Sequence, residues 1–292
     1  MGRKTKDSGV DGLLVVDKPP GWTSHDVVAK CRGAFGQRRA GHSGTLDPDA
    51  TGVLLIGFGQ VTKLLSLLTA LPKHYTGEVV LGAETSTLDS SGDVLRAYDM
   101  SDVTLDEARV AATNFVGDIL QVPPMVSAVQ VGGVRLHELA RQGIEIERAA
   151  RPVTVHRYEV LRWAAPGVLS IDVGCSSGTY VRTLAADLGA ALGGGAHLRN
   201  LRREAIGSFN AADGVTVDEL ANGTLLSPLD ALRDYRRIDV DEELAGQVRN
   251  GRVIDFDAPG EGPWAVCGAG PTLLAVYEPD GARRRPVVVL SR

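Results

Sequence analysis

The sequence predicts an α+β fold: a mixed, largely antiparallel sheet followed by a small β-rich module. Three observations carry this. Strand-like and helix-like stretches mix without a regular strand–helix–strand rhythm. Two strand candidates, Val153–Trp163 and Val168–Gly174, flank Ala164-Ala-Pro-Gly167, which suits a hairpin. From about Tyr235 the texture changes to short apolar runs separated by Pro/Gly turns. The expected organisation is a loose tail over 1–11, one large domain over 12–234 and a module over 235–292.

Taken in order, Leu13–Val16 is an apolar run that reads as a buried strand, ended by Asp17-Lys-Pro-Pro-Gly21. Ser24 is placed to cap a helix to about Phe35, with Val27, Val28, Cys31 and Phe35 on one face. A Gly-rich loop around Asp47 leads into a strand over Val53–Phe58, and Gln60–Leu68 reads as a helix. His74–Leu81 alternates as a strand does, and Gly82–Gly92 is a polar loop. Thr104-Leu-Asp-Glu107 is a capping box that opens a helix to about Phe115. Val122–Val131 looks extended, Leu136–Arg141 suits a short helix, and Ile144–Arg151 is charged and irregular. Thr179–Leu192 reads as a helix ended by Gly193-Gly-Gly195, and His197–Phe209 as short helix or strand. In the module, a helix near Glu242–Arg249 precedes or accompanies strand candidates at Val253–Phe256, Trp264–Cys267, Leu273–Tyr277 and Val287–Leu290.

Composition bounds the function. The chain has 292 residues, 43% apolar and 23% charged, and no apolar run approaches a membrane span. The start, Met-Gly-Arg-Lys-Thr-Lys-Asp, lacks the apolar core of a signal peptide. Cys31, Cys175 and Cys267 lie far apart, form no metal spacing and fit a reducing compartment, so the expected location is cytoplasmic. The net charge of −5 is uneven: residues 1–73 carry 10 Lys+Arg against 6 Asp+Glu, and 74–129 carry 2 against 9. A basic face on an acidic protein is therefore compatible with a nucleic-acid partner.

The stretch that concentrates chemistry is Arg39-Ala-Gly-His-Ser-Gly-Thr-Leu-Asp47-Pro-Asp-Ala-Thr-Gly52. It holds one carboxylate, Asp47, in a stiff, non-helical loop, since Pro48 disfavours the α region at Asp47. Such a loop beside a buried strand suits a reactive acid. It equally suits a plain turn, because an Asp before Pro commonly starts one.

Five blocks in order resemble the TruB-type tRNA pseudouridine synthase family. They are Leu14-Val-Val-Asp-Lys-Pro-Pro-Gly21, Gly41-His-Ser-Gly-Thr-Leu-Asp-Pro-Asp-Ala-Thr-Gly52, Lys73-His-Tyr75 with Thr85-Ser-Thr-Leu-Asp-Ser-Ser-Gly92, Gly178-Thr-Tyr-Val-Arg182-Thr-Leu, and His197-Leu-Arg-Asn-Leu-Arg-Arg203. They span about residues 12–210. The resemblance implies a pseudouridine synthase catalytic domain and a PUA-like C-terminal module. It implies isomerisation of uridine-55 in the T-arm loop of tRNA, by a monomer, with no metal and no organic cofactor. Asp47 matches the nucleophile, Arg182 the guanidinium that keeps it ionised, and Tyr75 the residue that stacks on the target base. Lys18 matches a lysine supporting the tyrosine region, His42 a histidine lying against RNA bases, and Leu201 an apolar residue padding the base pocket.

A uridine within a folded T-loop must be flipped out to react. Residues 124–151 resemble the family's RNA-gripping thumb, with Arg135, Arg141, Arg148 and Arg151 available for phosphates. The thumb departs from the family's Pro-Pro-x-Tyr-Ser-Ala-x-Lys pattern, having Val126 and Gln130 at the Tyr and Lys positions.

Two other readings compete. Asp47-Pro-Asp49-Ala-Thr51 also resembles the Asp-x-Asp-x-Thr signature of haloacid-dehalogenase-type, Mg-dependent phosphatases, in which the Asp follows a buried strand. A non-catalytic tRNA-binding or chaperone protein on the same scaffold is the other. Gly57-Phe-Gly59 resembles part of a dinucleotide loop but lacks the third glycine.

Overall fold

In a computed structural model, the structure describes residues 9–127, 130–131, 134–135, 144 and 146–290. The expected helix at 136–141 and Arg141 lie outside the described residues. The chain divides into two compact units: Met1–Pro48, Gly52–Thr69 and Gly207–Arg292 form the first, and Asp49–Thr51 with Ala70–Ile206 the second.

The first unit is built on the strand Gly12–Lys18, almost every residue of which is buried. It pairs antiparallel with Thr51–Phe58 and parallel with the short strand Val215–Thr216. Buried on both faces, it can be a continuous Leu-Leu-Val-Val run rather than an alternating one. The helix Ser24–Phe35 packs Val27, Val28 and Cys31 against Leu14, Val16, Leu54, Ile56 and Phe58. Its cap is Thr23, not Ser24. The Thr23 hydroxyl accepts from the Asp26 N–H at 3.1 Å, and the Asp26 carboxylate accepts from the Thr23 N–H at 2.9 Å. Thr-Ser offers two capping hydroxyls in sequence, and burial of Ser24 decides between them.

The Gln60–Leu68 expectation is met by two pieces, a 3-10 turn at Gly59–Leu64 and an α-helix at Leu65–Ala70. Gly59 turns the chain there: its φ is +56°, and a Cβ would collide with the Asp11 carboxylate, which accepts from the Gln60 N–H.

The same unit holds a four-stranded sheet in the order Arg236–Asp239, Trp264–Cys267, Leu273–Asp280, Arg283–Val289. The first pair is parallel and the others antiparallel. Helix Glu242–Arg249 covers it with Ala245 and Val248, over a core including Phe256, Trp264 and Tyr277. Val253–Phe256 is not a strand; only Ile254 makes a bridge, to Arg284. Arg236–Asp239, which does pair, was hidden by its charged Arg-Arg start. Two side chains tie this sheet to earlier residues of the unit: Lys63 Nζ donates to Val289 O at 2.9 Å and Tyr235 Oη to Leu67 O at 2.7 Å.

The second unit is an antiparallel sheet ordered Ala196–Ile206, Lys73–Leu81, Val168–Cys175, Arg151–Ala165, Gly117–Gln121. The stretch His197–Phe209, open between helix and strand by sequence, is mostly strand. Lys73–Leu81 alternates strictly, with Lys73, Tyr75, Gly77, Val79 and Leu81 on the buried face. Helices Leu105–Thr113 and Val181–Ala191 belong to this unit, the former opened by the expected Thr104–Glu107 capping box. Among the described residues no helix is long and apolar enough to cross a membrane.

Lys73 is buried, and its ammonium donates to Leu71 O at 2.7 Å. Burial first, and then Arg203, push its pKa down from 10.5 to about 8. Below pH 8 the unfolded chain and the folded protein both hold the proton. Between the two values the unfolded state binds more protons, so this group makes stability rise with pH there. Relative to Lys73→Met, the native protein should gain about 1 kcal/mol per pH unit from about pH 8 upward. Urea unfolding of both proteins at pH 7.5, 8.5 and 9.5 checks it, and a pH-independent difference would refute it.

Candidate active site

Asp47 stands half-buried in the loop between the strands Ala40–Ser43 and Thr51–Phe58. Its two neighbours are fixed by the first unit. On one side, the Ser24 hydroxyl accepts from the Leu46 N–H at 2.9 Å and donates to Leu46 O at 3.2 Å. On the other, Pro48 O accepts from the Lys18 ammonium at 2.9 Å and from the Gly21 N–H at 2.9 Å.

Lys18 is fully buried and also donates to Trp22 O at 2.7 Å and Pro19 O at 3.0 Å. A buried ammonium persists only when such acceptors surround it. Its carbonyl partners join the Pro19–Trp22 turn to the Asp47 loop, a support that the motif did not announce. The backbone of His42 pairs with Ile56, and its ring lies edge to face with that of His25, centroids 5.3 Å apart.

Three more expected residues lie in the second unit. Tyr75 is 9% exposed on the strand Lys73–Leu81. Leu201 is half-buried at a bulge in Ala196–Ile206, where Asn200 has φ +52°. A Cβ added to Gly77 would stand 3.6 Å from Leu201 Cδ1. Tyr75 and Gly77 alternate onto one face of the sheet, so Leu201 shares that face with Tyr75. Arg203, 1% exposed, is directly opposite Tyr75 on the neighbouring strand.

Arg182 is the second residue of helix Val181–Ala191 and is 5% exposed. Its guanidinium donates to Val126 O at 2.8 Å and Thr87 O at 2.9 Å, and lies 3.4 Å from an Asp89 carboxylate oxygen. Asp89 is itself held: its other oxygen accepts from the Thr87 hydroxyl at 2.6 Å, the Ser91 N–H at 3.0 Å and the Ser91 hydroxyl at 2.5 Å. The helix start has no side-chain cap of its own. Gln121 replaces it, accepting from the Tyr180 N–H at 2.7 Å and donating to Tyr180 O at 3.2 Å.

Of the thumb arginines, Arg148 donates to Pro123 O at 3.2 Å, which ties one side of the segment to the other, and Arg151 is exposed at the start of its strand. In the C-terminal sheet, Arg285 pairs with Glu278, Arg284 lies over the Trp264 ring, and Arg283 is exposed. Among the described residues no group of three or more His, Cys, Asp or Glu is placed to hold a metal ion. Sequence reasoning named Ser24 only as a helix cap and did not single out Asp89, Gln121 or Arg203. The signals were there as polar residues inside motif blocks or at a helix start, but burial and partner cannot be read from spacing.

Family profiles cover nearly the whole chain. The TruB family pseudouridylate synthase N-terminal domain matches residues 32–181, the tRNA pseudouridylate synthase B C-terminal domain matches 182–235, and the tRNA pseudouridine synthase II C-terminal region matches 235–291. The tRNA pseudouridine synthase B of Mycolicibacterium paratuberculosis is 46% identical over 96% of this chain and 97% of its own length.

The chain belongs to the TruB family.

The tRNA pseudouridine synthase B of Mycobacterium tuberculosis H37Rv is 44% identical over 96% of this chain and 95% of its own. Among solved structures, a Cbf5-Nop10-Gar1 complex contains a chain that aligns with TM-score 0.73 at 25% identity, covering 96% of this chain and 84% of that one. A chain of an H/ACA RNP bound to a substrate RNA containing 2′-deoxyuridine shares the fold, with TM-score 0.72 at 22% identity over 96% and 85%. This TruB-family protein is thus an isomerase that forms pseudouridine in tRNA, and its last sheet is the family's PUA-like module. The phosphatase resemblance fails on local structure as well. Gly44-Thr-Leu46 separates Asp47 from the preceding strand Ala40–Ser43, so the acid does not follow a buried strand directly.

Lys18→Met would strip the ammonium from three carbonyls around the synthase's Asp47 loop. Pro48 O keeps the Gly21 N–H, so the expected loss is about 2–6 kcal/mol, from about 1–3 for each of Pro19 O and Trp22 O left without this donor. A lowered urea midpoint at unchanged m-value is the expected reading. A midpoint matching the native one would show that the loop does not need the lysine.

Proposed function

We propose that this synthase converts uridine-55 in the T-arm loop of tRNA to pseudouridine, with Asp47 as nucleophile, acting as a monomer and without metal or organic cofactor. The N1–C1′ bond breaks, the base turns, and C5 bonds to C1′; the proton on C5 leaves and N1 gains one. Atoms balance within the substrate, so the reaction calls for no oxidant or second substrate. A carboxylate that bonds transiently, to the base or to the ribose carbon, divides one difficult step into easier ones.

The observation that carries this reading is the bracketed loop. Ser24 at Leu46 and Lys18 at Pro48 immobilise the backbone on both sides of Asp47. Positioning of the attacking atom is a large part of what an enzyme supplies. Arg182 is the guanidinium assigned to keep Asp47 ionised once water is excluded, because a charged neighbour opposes the rise in pKa that burial causes. Its orientation is pre-set by Thr87, Val126 and Asp89. Tyr75, with Leu201 on the same face, is assigned to the flipped base: the ring stacks and the phenol is the candidate for proton transfer. Lys18 holds the loop, and His42 lies against the bases of the opened T-loop. Arg141, Arg148 and Arg151 are assigned to phosphates.

The test is an isolated T-arm stem-loop, incubated with the protein in chelator and scored for pseudouridine. Product at the position equivalent to 55 is expected, and its absence from RNA and full tRNA alike would refute the substrate assignment. Asp47→Asn should abolish turnover while tRNA still binds; retained turnover would remove Asp47 from the nucleophile role. Arg182→Ala should slow single turnover by about a hundred- to a thousand-fold, the effect typical of losing one preorganised electrostatic contact. A near-native rate would show that Asp47 stays ionised by other means.

A further inference from the structure

The helix Ser24–Phe35 does more than pack on its sheet. Its second residue, His25, is exposed, while the hydroxyl of its first residue grips the backbone of Leu46. That grip, with the Thr23–Asp26 capping box, fixes the first turn relative to the Asp47 loop. From there the His25 imidazole meets His42 edge to face, with ring centroids 5.3 Å apart and planes at 82°. His42 sits on a four-residue strand whose pairing with Thr51–Phe58 fixes its backbone but not its ring. The torsion that turns an imidazole is broad and roughly two-fold, so each contact on the ring bears on its orientation, the His25 ring among them.

We propose that His25 is a positioning residue for RNA capture: its perpendicular ring steers the plane of His42, so that His42 presents an aromatic face to a splayed nucleobase. The inference rests on the assignment of His42 to the bases of the T-loop. Unpaired bases are held on aromatic side chains by stacking, which requires the receiving plane to be set in advance. His25 has no competing structural duty that explains the contact. Thr23 and Asp26 cap the helix, and Val27, Val28 and Cys31 supply its buried face. The Asp26 carboxylate beside it is engaged by the Thr23 N–H and hydroxyl.

The experiment is steady-state kinetics on the T-arm stem-loop with the full chain, using His25→Ala, His25→Phe, His42→Ala and the double alanine variant. His25→Ala should raise KM by about three- to ten-fold, the range of one edge-to-face aromatic pair. The change in kcat should be smaller, and the unfolding midpoint should stay near native. His25→Phe keeps a ring edge without ionisable nitrogens and should restore KM. In the His42→Ala background, removing His25 should add nothing, since contacting residues couple and independent ones add. An unchanged KM in His25→Ala, failure of His25→Phe to restore it, or full additivity would each overturn the proposal. If His42→Ala turns over with native KM, the assignment of His42 to RNA falls and the proposal falls with it. If His42→Ala raises KM while His25→Ala does not, only the role of His25 is lost.

Discussion

A buried ammonium, that of Lys18, sets the terms for the first unit. Placing a charge at zero exposure is tolerated only where acceptors converge on it, and three main-chain carbonyls do. The requirement works in both directions. The charge needs the carbonyls, so the Pro19–Trp22 turn and the loop after Asp47 must come together around one atom. The Gly21 N–H meets the same Pro48 carbonyl, and Ser24 closes the opposite side at Leu46. An acid on a loop, ordinarily the most mobile kind of placement, is thereby held about as firmly as one on a strand.

The second unit solves its own positioning problem in a related way. Arg182 is turned by two carbonyls and by a carboxylate that is itself committed to Thr87 and Ser91. Gln121 takes up the Tyr180 N–H at the start of the arginine's helix and adds a second donor to Tyr180 O. In each unit a buried polar side chain organises main-chain groups from segments far apart in sequence. Networks of this kind rigidify when every member is satisfied.

Much of this was legible in the sequence, for identifiable reasons. Leu13–Val16 read as a strand because a run of four apolar residues beside a Pro-Gly turn has few other uses. The Thr104–Glu107 box fixed its helix start because both capping partners are local. Failures came where tertiary contacts decide. Ser24 looked like a cap, yet Thr23 took that task because Leu46, over twenty residues away, claimed the Ser24 hydroxyl. Arg236–Asp239 carried one apolar residue, Ile238, too weak a signal for a strand, and is a strand because it pairs with Trp264–Cys267. The motif blocks named Asp47, Tyr75 and Arg182, but nothing in their spacing showed what steers the arginine or braces the acid. Asp89 and Lys18 emerged in those parts only when their partners did.

The parallel pairing of Gly12–Lys18 with Val215–Thr216 carries a temporal consequence. During synthesis the amino-terminal strand leaves the ribosome long before its neighbour exists. The interval is about 200 residues, or roughly 10–40 s at about 5–20 residues per second. Through that wait the strand Gly12–Lys18 has one bare edge. Nascent chains should therefore be guarded by chaperones at Gly12–Lys18, and a premature stop before Val215 would leave that edge permanently open to aggregation.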